Sequence, residues 1–129
     1  AAGIAGHDPA VHRWAEAHCD VDFYMCSYYR PTDRSQMPQH VPDAEEYFAP
    51  EHRDEMVKLI ATLSKPVIHY KVLAAGRNDP AKAFRYVARH LRPQDACCVG
   101  VYLADHPDMI AEDVRLFTGA REAREATAG

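Results

Sequence analysis

The sequence predicts an α/β domain built on a parallel β-sheet. Four short segments have the continuous apolar character of strands that are buried on both faces. Each is followed by a polar turn and then by apolar residues at helical spacing, so that strand and helix alternate four times. The predicted strands cover residues 2–5, 21–28, 66–73 and 96–102.

Proline marks the start of every predicted helix. Its missing N–H would have no partner at the first helical position, so proline is well tolerated there. Asp8 and Asp79 directly precede two of these prolines, and an aspartate in that place accepts hydrogen bonds from the first free amides. The four prolines are Pro9, Pro50, Pro80 and Pro107.

Length and motif content favour half of a barrel over a complete doubly wound sheet. A barrel of eight strand–helix units takes about 250 residues, whereas these 129 residues carry four units. Neither GxGxxG nor GxxxxGK[ST], which nucleotide-binding doubly wound folds carry, occurs. We therefore expect one domain over residues 1–129, forming half of a (β/α)8 (TIM) barrel. The sequence opens without methionine, which fits a fragment whose N-terminal half is missing.

Two segments depart from the strand–helix repeat. Residues 30–44 contain three prolines and no apolar periodicity, a pattern typical of a long functional loop. Residues 118–129 contain helix-forming residues without an apolar face, and they either continue the last helix or fray.

Composition excludes several classes of function. The formal net charge is −4, and a nucleic-acid-binding protein needs a basic stripe. No apolar run approaches the roughly 18 residues of a membrane span. The four cysteines include no CxxC or CxxH pair, so neither a zinc site nor a disulfide scaffold is indicated. We expect a cytoplasmic protein that binds a small molecule, neither nucleic acid nor a membrane.

Four motifs follow one another in an order that resembles a known family. Residues 3–7 read Gly-Ile-Ala-Gly-His and residues 22–29 read Asp-Phe-Tyr-Met-Cys-Ser-Tyr-Tyr. Residues 67–76 read Val-Ile-His-Tyr-Lys-Val-Leu-Ala-Ala-Gly, and Val99-Gly100 precedes Glu112-Asp113-Val114. The series resembles strands five to eight of the aldo/keto reductase barrel, which is its C-terminal half.

The resemblance implies an oxidoreductase that uses NADP(H) on a small carbonyl or sugar-like compound. It implies that Tyr70 stacks on the nicotinamide ring and that Glu112 lies near the adenine. The catalytic residues of the family lie on its first four strands, outside this sequence. The positions that bind the nicotinamide carboxamide in the family hold Ala5, Gly6 and Met25 here, which favours an alternative: a barrel that has lost cofactor binding and catalysis.

Polar residues at the predicted strand ends are the candidates for substrate binding, because barrel active sites lie there. The cationic side chains among these residues suit the binding of an anionic or hydroxylated small molecule. Neighbouring residues of a strand point to opposite faces, so either Tyr70 or Lys71 can face the barrel centre. Both can do so only if the end of the strand twists or bulges. The candidates are His7, Tyr29, Arg30, Lys71 and Arg77.

Two further alternatives concern metals and partners. His7, Asp8 and His106 also follow predicted strands and could hold zinc or manganese in a metal-dependent lyase or isomerase. No HxH or HExxH motif accompanies them. Half of a barrel would leave apolar edge strands exposed. We therefore expect these edges to be covered either by the missing N-terminal half-barrel or by self-association of this chain.

Overall fold

The computed structural model describes residues 1–30 and 48–129. The order of elements confirms the predicted α/β alternation of four strands and four helices. The strands are β1 (Gly3–Gly6), β2 (Phe23–Ser27), β3 (Val67–Tyr70) and β4 (Ala96–Cys97). The helices are α1 (Pro9–His18), α2 (Pro50–Ile60), α3 (Pro80–His90) and α4 (Met109–Ala128).

Three helices begin at the predicted proline, and two carry the predicted cap. Asp8 accepts a hydrogen bond from the amide of Ala10 (2.9 Å), and Asp79 accepts one from the amide of Lys82 (2.8 Å). The fourth helix begins at Met109, two residues after the predicted Pro107. It continues to Ala128, so the C-terminal segment is helical and not frayed. The predicted loop 30–44 lies, apart from Arg30, outside the described residues.

The four strands form one parallel sheet in the order β1-β2-β3-β4. Right-handed crossovers between neighbouring parallel strands place successive helices on the same face. Burial agrees with that arrangement: Tyr24, Cys26, Val67 and His69 alternate along the strands and are fully buried. The sheet therefore has one helix-covered face that holds the core.

The opposite face of the sheet is only partly covered among the described residues. Met25, Ile68 and Tyr70 are half-buried there, and Ala5 is exposed. They occupy the alternate positions, since Met25 pairs with Ile68 and with Ala5 across the sheet. The sheet thus presents an apolar face that the four helices do not cover.

Helices α3 and α4 pack against each other beside β4. Phe84 and Phe117 meet edge to face with ring centroids 5.8 Å apart, a favoured aromatic geometry. Arg124 donates hydrogen bonds to the carbonyl oxygens of Ala88 and Leu91 at the end of α3, where carbonyls lack helical partners. In the described part of the chain, no helix is long and apolar enough to cross a membrane.

Candidate functional site

A cleft of about 700 Å³ opens beyond the carboxyl ends of β3 and β4. Ligand pockets generally range from about 300 to 1,000 Å³, so the cleft has room for a small molecule. Its walls are mainly apolar, with polar groups concentrated at a few positions. The lining includes Phe48, Tyr70, Lys71, Val72, Leu73, Val99, Val101, Tyr102, His106, Met109, Glu112, Asp113 and Leu116.

Tyr70 and Lys71 both line this cleft, although strict alternation would place them on opposite faces. The strand ends at Tyr70, and Lys71 adopts a left-handed backbone with φ of 58°. The change of backbone conformation removes the strand alternation at this point. The Tyr70 ring is half-buried and meets the His7 ring at 5.9 Å, and burial raises the pKa of its hydroxyl.

The turn after β3 contains three non-glycine residues in left-handed conformation. Lys71, Ala74 and Ala75 have φ values of 58°, 50° and 52°, followed by Gly76 at 82°. Residues with a Cβ adopt such angles at a cost of roughly 1–3 kcal/mol each. Strain of this kind concentrates at binding sites, where the surrounding structure enforces it. Nothing in the sequence Lys-Val-Leu-Ala-Ala-Gly indicated it, because only the glycine is typical of such a turn.

His106 and Glu112 form an exposed ion pair at the rim of the cleft. The His106 Nε2 lies 2.7 Å from a Glu112 carboxylate oxygen. This hydrogen bond raises the pKa of His106 and lowers the pKa of Glu112. Glu112 also lies in the first turn of α4, where a negative charge is favoured by the helix dipole. The side chain that the resemblance placed near a cofactor therefore already has a partner.

Asp113 was not a candidate in the sequence, yet it is the most unusual group in the cleft. It is buried, and its Oδ2 has no hydrogen-bond partner among residues 1–30 and 48–129. Burial, and then the neighbouring Glu112 charge, raise the pKa of its carboxyl group. A buried carboxylate oxygen without a partner is costly. It could accept a hydrogen bond from a ligand donor, and its perturbed pKa is a frequent mark of functional sites.

Four of the predicted substrate residues are not in the lining of the cleft. His7 contacts Tyr70, as described above. Tyr29 is buried, and its hydroxyl accepts a hydrogen bond from Asn78 (2.8 Å). Arg30 pairs with Glu55 at 2.8 Å. Arg77 stacks on Phe48, with its guanidinium carbon 4.6 Å from the ring centre. Of the predicted site, the structure brings Tyr70, Lys71, His106 and Glu112 around one cavity.

The metal hypothesis gains no support from the geometry. His7 lies beside Tyr70, whereas His106 is paired with Glu112. In the described ranges, 1–30 and 48–129, no group of three or more His, Cys, Asp or Glu side chains is placed to hold a metal ion. All four cysteines are free.

A second group of polar residues lies inside the core and has no access to the cleft. The Tyr28 hydroxyl lies 2.9 Å from His69 Nδ1, and His69 Nε2 lies 3.3 Å from Asp95. Arg92 donates to both oxygens of that carboxylate at 2.8 Å. Tyr28, His69 and the Asp95 carboxylate are essentially fully buried. The network therefore connects β2, β3 and the turn before β4 inside the core.

The fold and cleft define an α/β protein with a parallel sheet and a ligand-sized cavity at the carboxyl ends of its strands. Comparison with known protein families, with curated proteins and with solved structures finds no match to this chain.

Proposed function

We propose that this chain is the C-terminal half of a (β/α)8 barrel of the aldo/keto reductase type, which binds NADP(H) and a small carbonyl or sugar-like compound. The observation that carries the proposal is the common position of Tyr70, Lys71 and Glu112 around one cleft at the strand ends. That edge is where parallel α/β barrels hold their active sites.

The chemistry of the cleft supports a ligand with a flat ring and a charged portion. The half-buried Tyr70 ring offers a stacking surface, and the Lys71 ammonium is a point charge for a phosphate or carboxylate group. The cofactor, when bound, supplies the hydride that reduces a carbonyl. Tyr70 and Lys71 would bind and orient it, and the apolar wall of Val72, Leu73 and Val99 would exclude water.

The uncovered apolar surfaces support the proposal of a half-barrel. Every large apolar side chain that is exposed in the described residues lies on α1, on the segment after β4, or on α4. These elements follow β1 and β4 along the chain, and β1 and β4 are the two edges of the sheet. Closing the barrel would cover both edges and the open face together. The residues are Val11, Trp14, Val101, Tyr102, Leu103, Ile110 and Val114.

The partner is accordingly proposed to be another half-barrel, either an N-terminal half or a second copy of this chain. The acid–base groups of the reaction would lie on that half. A cytoplasmic location is part of the same proposal, because four free thiols suit a reducing compartment.

Fluorescence titration of NADPH and NADH into this chain tests the proposed binding, because Tyr70, Lys71 and Glu112 all belong to it. We expect saturable binding that alters nicotinamide emission. Tyr70→Ala should remove the change, because it removes the stacking ring, whereas Tyr70→Phe should preserve it. Thermal unfolding of both variants controls for folding. Absence of saturable binding, or binding that Tyr70→Ala leaves intact, would contradict the proposal.

A non-catalytic binding barrel is the second candidate, and one observation favours it. Ala5, Gly6 and Met25 stand where the family hydrogen-bonds the nicotinamide carboxamide, and they offer no polar side chain. Ligand binding without turnover, in a complex that contains both half-barrels, would establish this function instead.

A further inference from the structure

A second cavity, of about 650 Å³, lies along α3 and α4 and extends to Asn78 and Asp79, in the turn between β3 and α3. We call it the basic groove. Among residues 1–30 and 48–129, five basic side chains line it, and Asp79 is the one acidic residue in its lining. The Asp79 carboxylate already accepts a hydrogen bond from the amide of Lys82 as the cap of α3. The basic residues are Arg53, Lys82, Arg85, Arg89 and Arg124.

The charge of α3 differs from that of the rest of the chain. Helix α3 (Pro80–His90) contains Lys82, Arg85 and Arg89 and no acidic residue, although the whole chain has a net charge of −4. The other three helices each contain acidic side chains. Spacings of three and four residues place the cations on one face of α3, where like charges repel. Such a face costs stability unless an anion occupies it.

Two of the five cations are held in place by contacts of their own. The Arg53 guanidinium lies 3.9 Å from the centre of the Tyr86 ring and 3.0 Å from Asp54. Arg124 is fixed by the carbonyl oxygens at the end of α3. These contacts orient guanidinium groups at the groove before any ligand arrives, which reduces the entropy lost on binding.

The other three cations have no acidic partner in the part of the chain that the structure describes. Arg89 lies 5.8 Å from the Tyr86 ring centre, on which Arg53 also stacks. Lys82, Arg85 and Arg89 form no ion pair with an acidic side chain in the ranges 1–30 and 48–129. Their charges are therefore available to an external anion.

We propose that the basic groove binds a small polyanion that carries two or more phosphate groups. Planar guanidinium groups match phosphate oxygens bidentately, and Lys82 adds a point charge. The volume suits a small molecule, whereas a nucleic-acid duplex requires a long basic surface that this acidic chain lacks. Asn78 lines both this groove and the Tyr70 cleft, but the five basic residues line the groove alone. The proposal does not depend on the proposed reductase function.

Isothermal titration calorimetry with inorganic tripolyphosphate tests the proposal. We expect saturable binding that weakens as salt is added, because the attraction is between charges. The variant Arg85→Gln/Arg89→Gln should weaken binding by more than about tenfold, since each charge-assisted hydrogen bond contributes more than a neutral one. Glutamine retains helix propensity, so α3 should still form.

The matched control is Arg115→Gln/Arg121→Gln, which removes the same charge from exposed positions of α4 outside the groove. It should change the affinity less than about twofold. Equal losses in both variants would reduce the effect to net charge and overturn the proposal, as would the absence of saturable binding. Tighter binding of a glutamate peptide of the same charge would overturn the assignment to phosphate.

Discussion

At the scale of single residues, the buried network around His69 is the most consequential polar feature. The neutral imidazole satisfies both neighbours if Nε2–H donates to Asp95 and Nδ1 accepts from the Tyr28 hydroxyl. Asp95 also accepts from the amides of Val67 and Arg92. Burial alone would raise the pKa of Asp95, but the hydrogen bonds from Arg92, the two amides and His69 outweigh it and lower the pKa. The carboxylate thereby joins β3 to the turn before β4.

Replacing Asp95 by asparagine should destabilise the protein by about 3 kcal/mol, because it leaves the Arg92 guanidinium without its counter-charge and replaces the carboxylate that accepts from the neutral His69. Urea unfolding followed by circular dichroism measures the loss. Asp20→Asn is the matched control: Asp20 pairs with Lys65, but its side chain is 97% exposed, so stability should hardly change. Similar losses in the two variants would contradict the structural role of the network.

The free energy of unfolding should also decrease as the pH is lowered from about 7 to about 5. Burial lowers the pKa of His12, His69 and His90 in the folded protein. The unfolded chain therefore takes up protons below about pH 6.5 that the folded protein binds only at lower pH, which favours unfolding. The hydrogen bond to Glu112 raises the pKa of the exposed His106, so protonation of His106 favours the folded protein. Solvent screening makes this opposite effect on stability small. The lowered pKa of Asp95 extends the loss of stability below about pH 4.

Unfolding free energies measured across this range test the prediction. His12→Gln should flatten the dependence between pH 7 and pH 5, because the buried imidazole is removed. A flat profile in the wild type would contradict the burial of neutral histidines.

At the scale of elements, local signals predicted helix starts better than strand ends. Asp8-Pro9 and Asp79-Pro80 specify their helices through contacts within one turn, and both are confirmed. A strand, in contrast, extends only as far as the adjacent strand offers backbone hydrogen-bond partners. The predicted strand 96–102 ends at Cys97 because β3 stops at Tyr70, and the last bond joins the Cys98 amide to the His69 carbonyl (2.8 Å). The apolar residues after it line the cleft.

The same reason explains which site residues the sequence could identify. Tyr70 and Glu112 were predicted from motif order, and both line the cleft. Asp113 and Asp95 depend on which distant elements surround them, and no local pattern distinguishes them from surface aspartates. Lys71 was undecided because alternation does not foresee a left-handed residue at a strand end.

The caps of α3 and α4 offer a direct comparison within one chain. Asp79→Ala should cost about 1 kcal/mol of unfolding free energy, because the side chain satisfies a free amide of α3. Asp108 occupies the same position of α4 but makes no side-chain cap bond, so Asp108→Ala should cost distinctly less. Urea unfolding of both variants tests this, and equal losses would contradict the assigned cap.

At the scale of the whole molecule, one face of the sheet and both of its edges lack cover among the described residues. Trp14 on α1 is 59% exposed and Val114 on α4 is 61% exposed, at opposite ends of the strand order. Each edge therefore carries exposed apolar side chains, which are candidates for an interaction surface. Unpaired edge strands favour the same outcome. The proposed half-barrel requires these surfaces to be an interface.

Sedimentation equilibrium of the purified chain tests that claim most directly. We predict concentration-dependent self-association that Trp14→Ser/Val114→Ser weakens, because both edges lose apolar area. Glu51→Ser/Lys58→Ser, at exposed positions on α2, is the control and should leave association unchanged. A monomer at every concentration, with a wild-type profile identical to that of the edge variant, would contradict the half-barrel account.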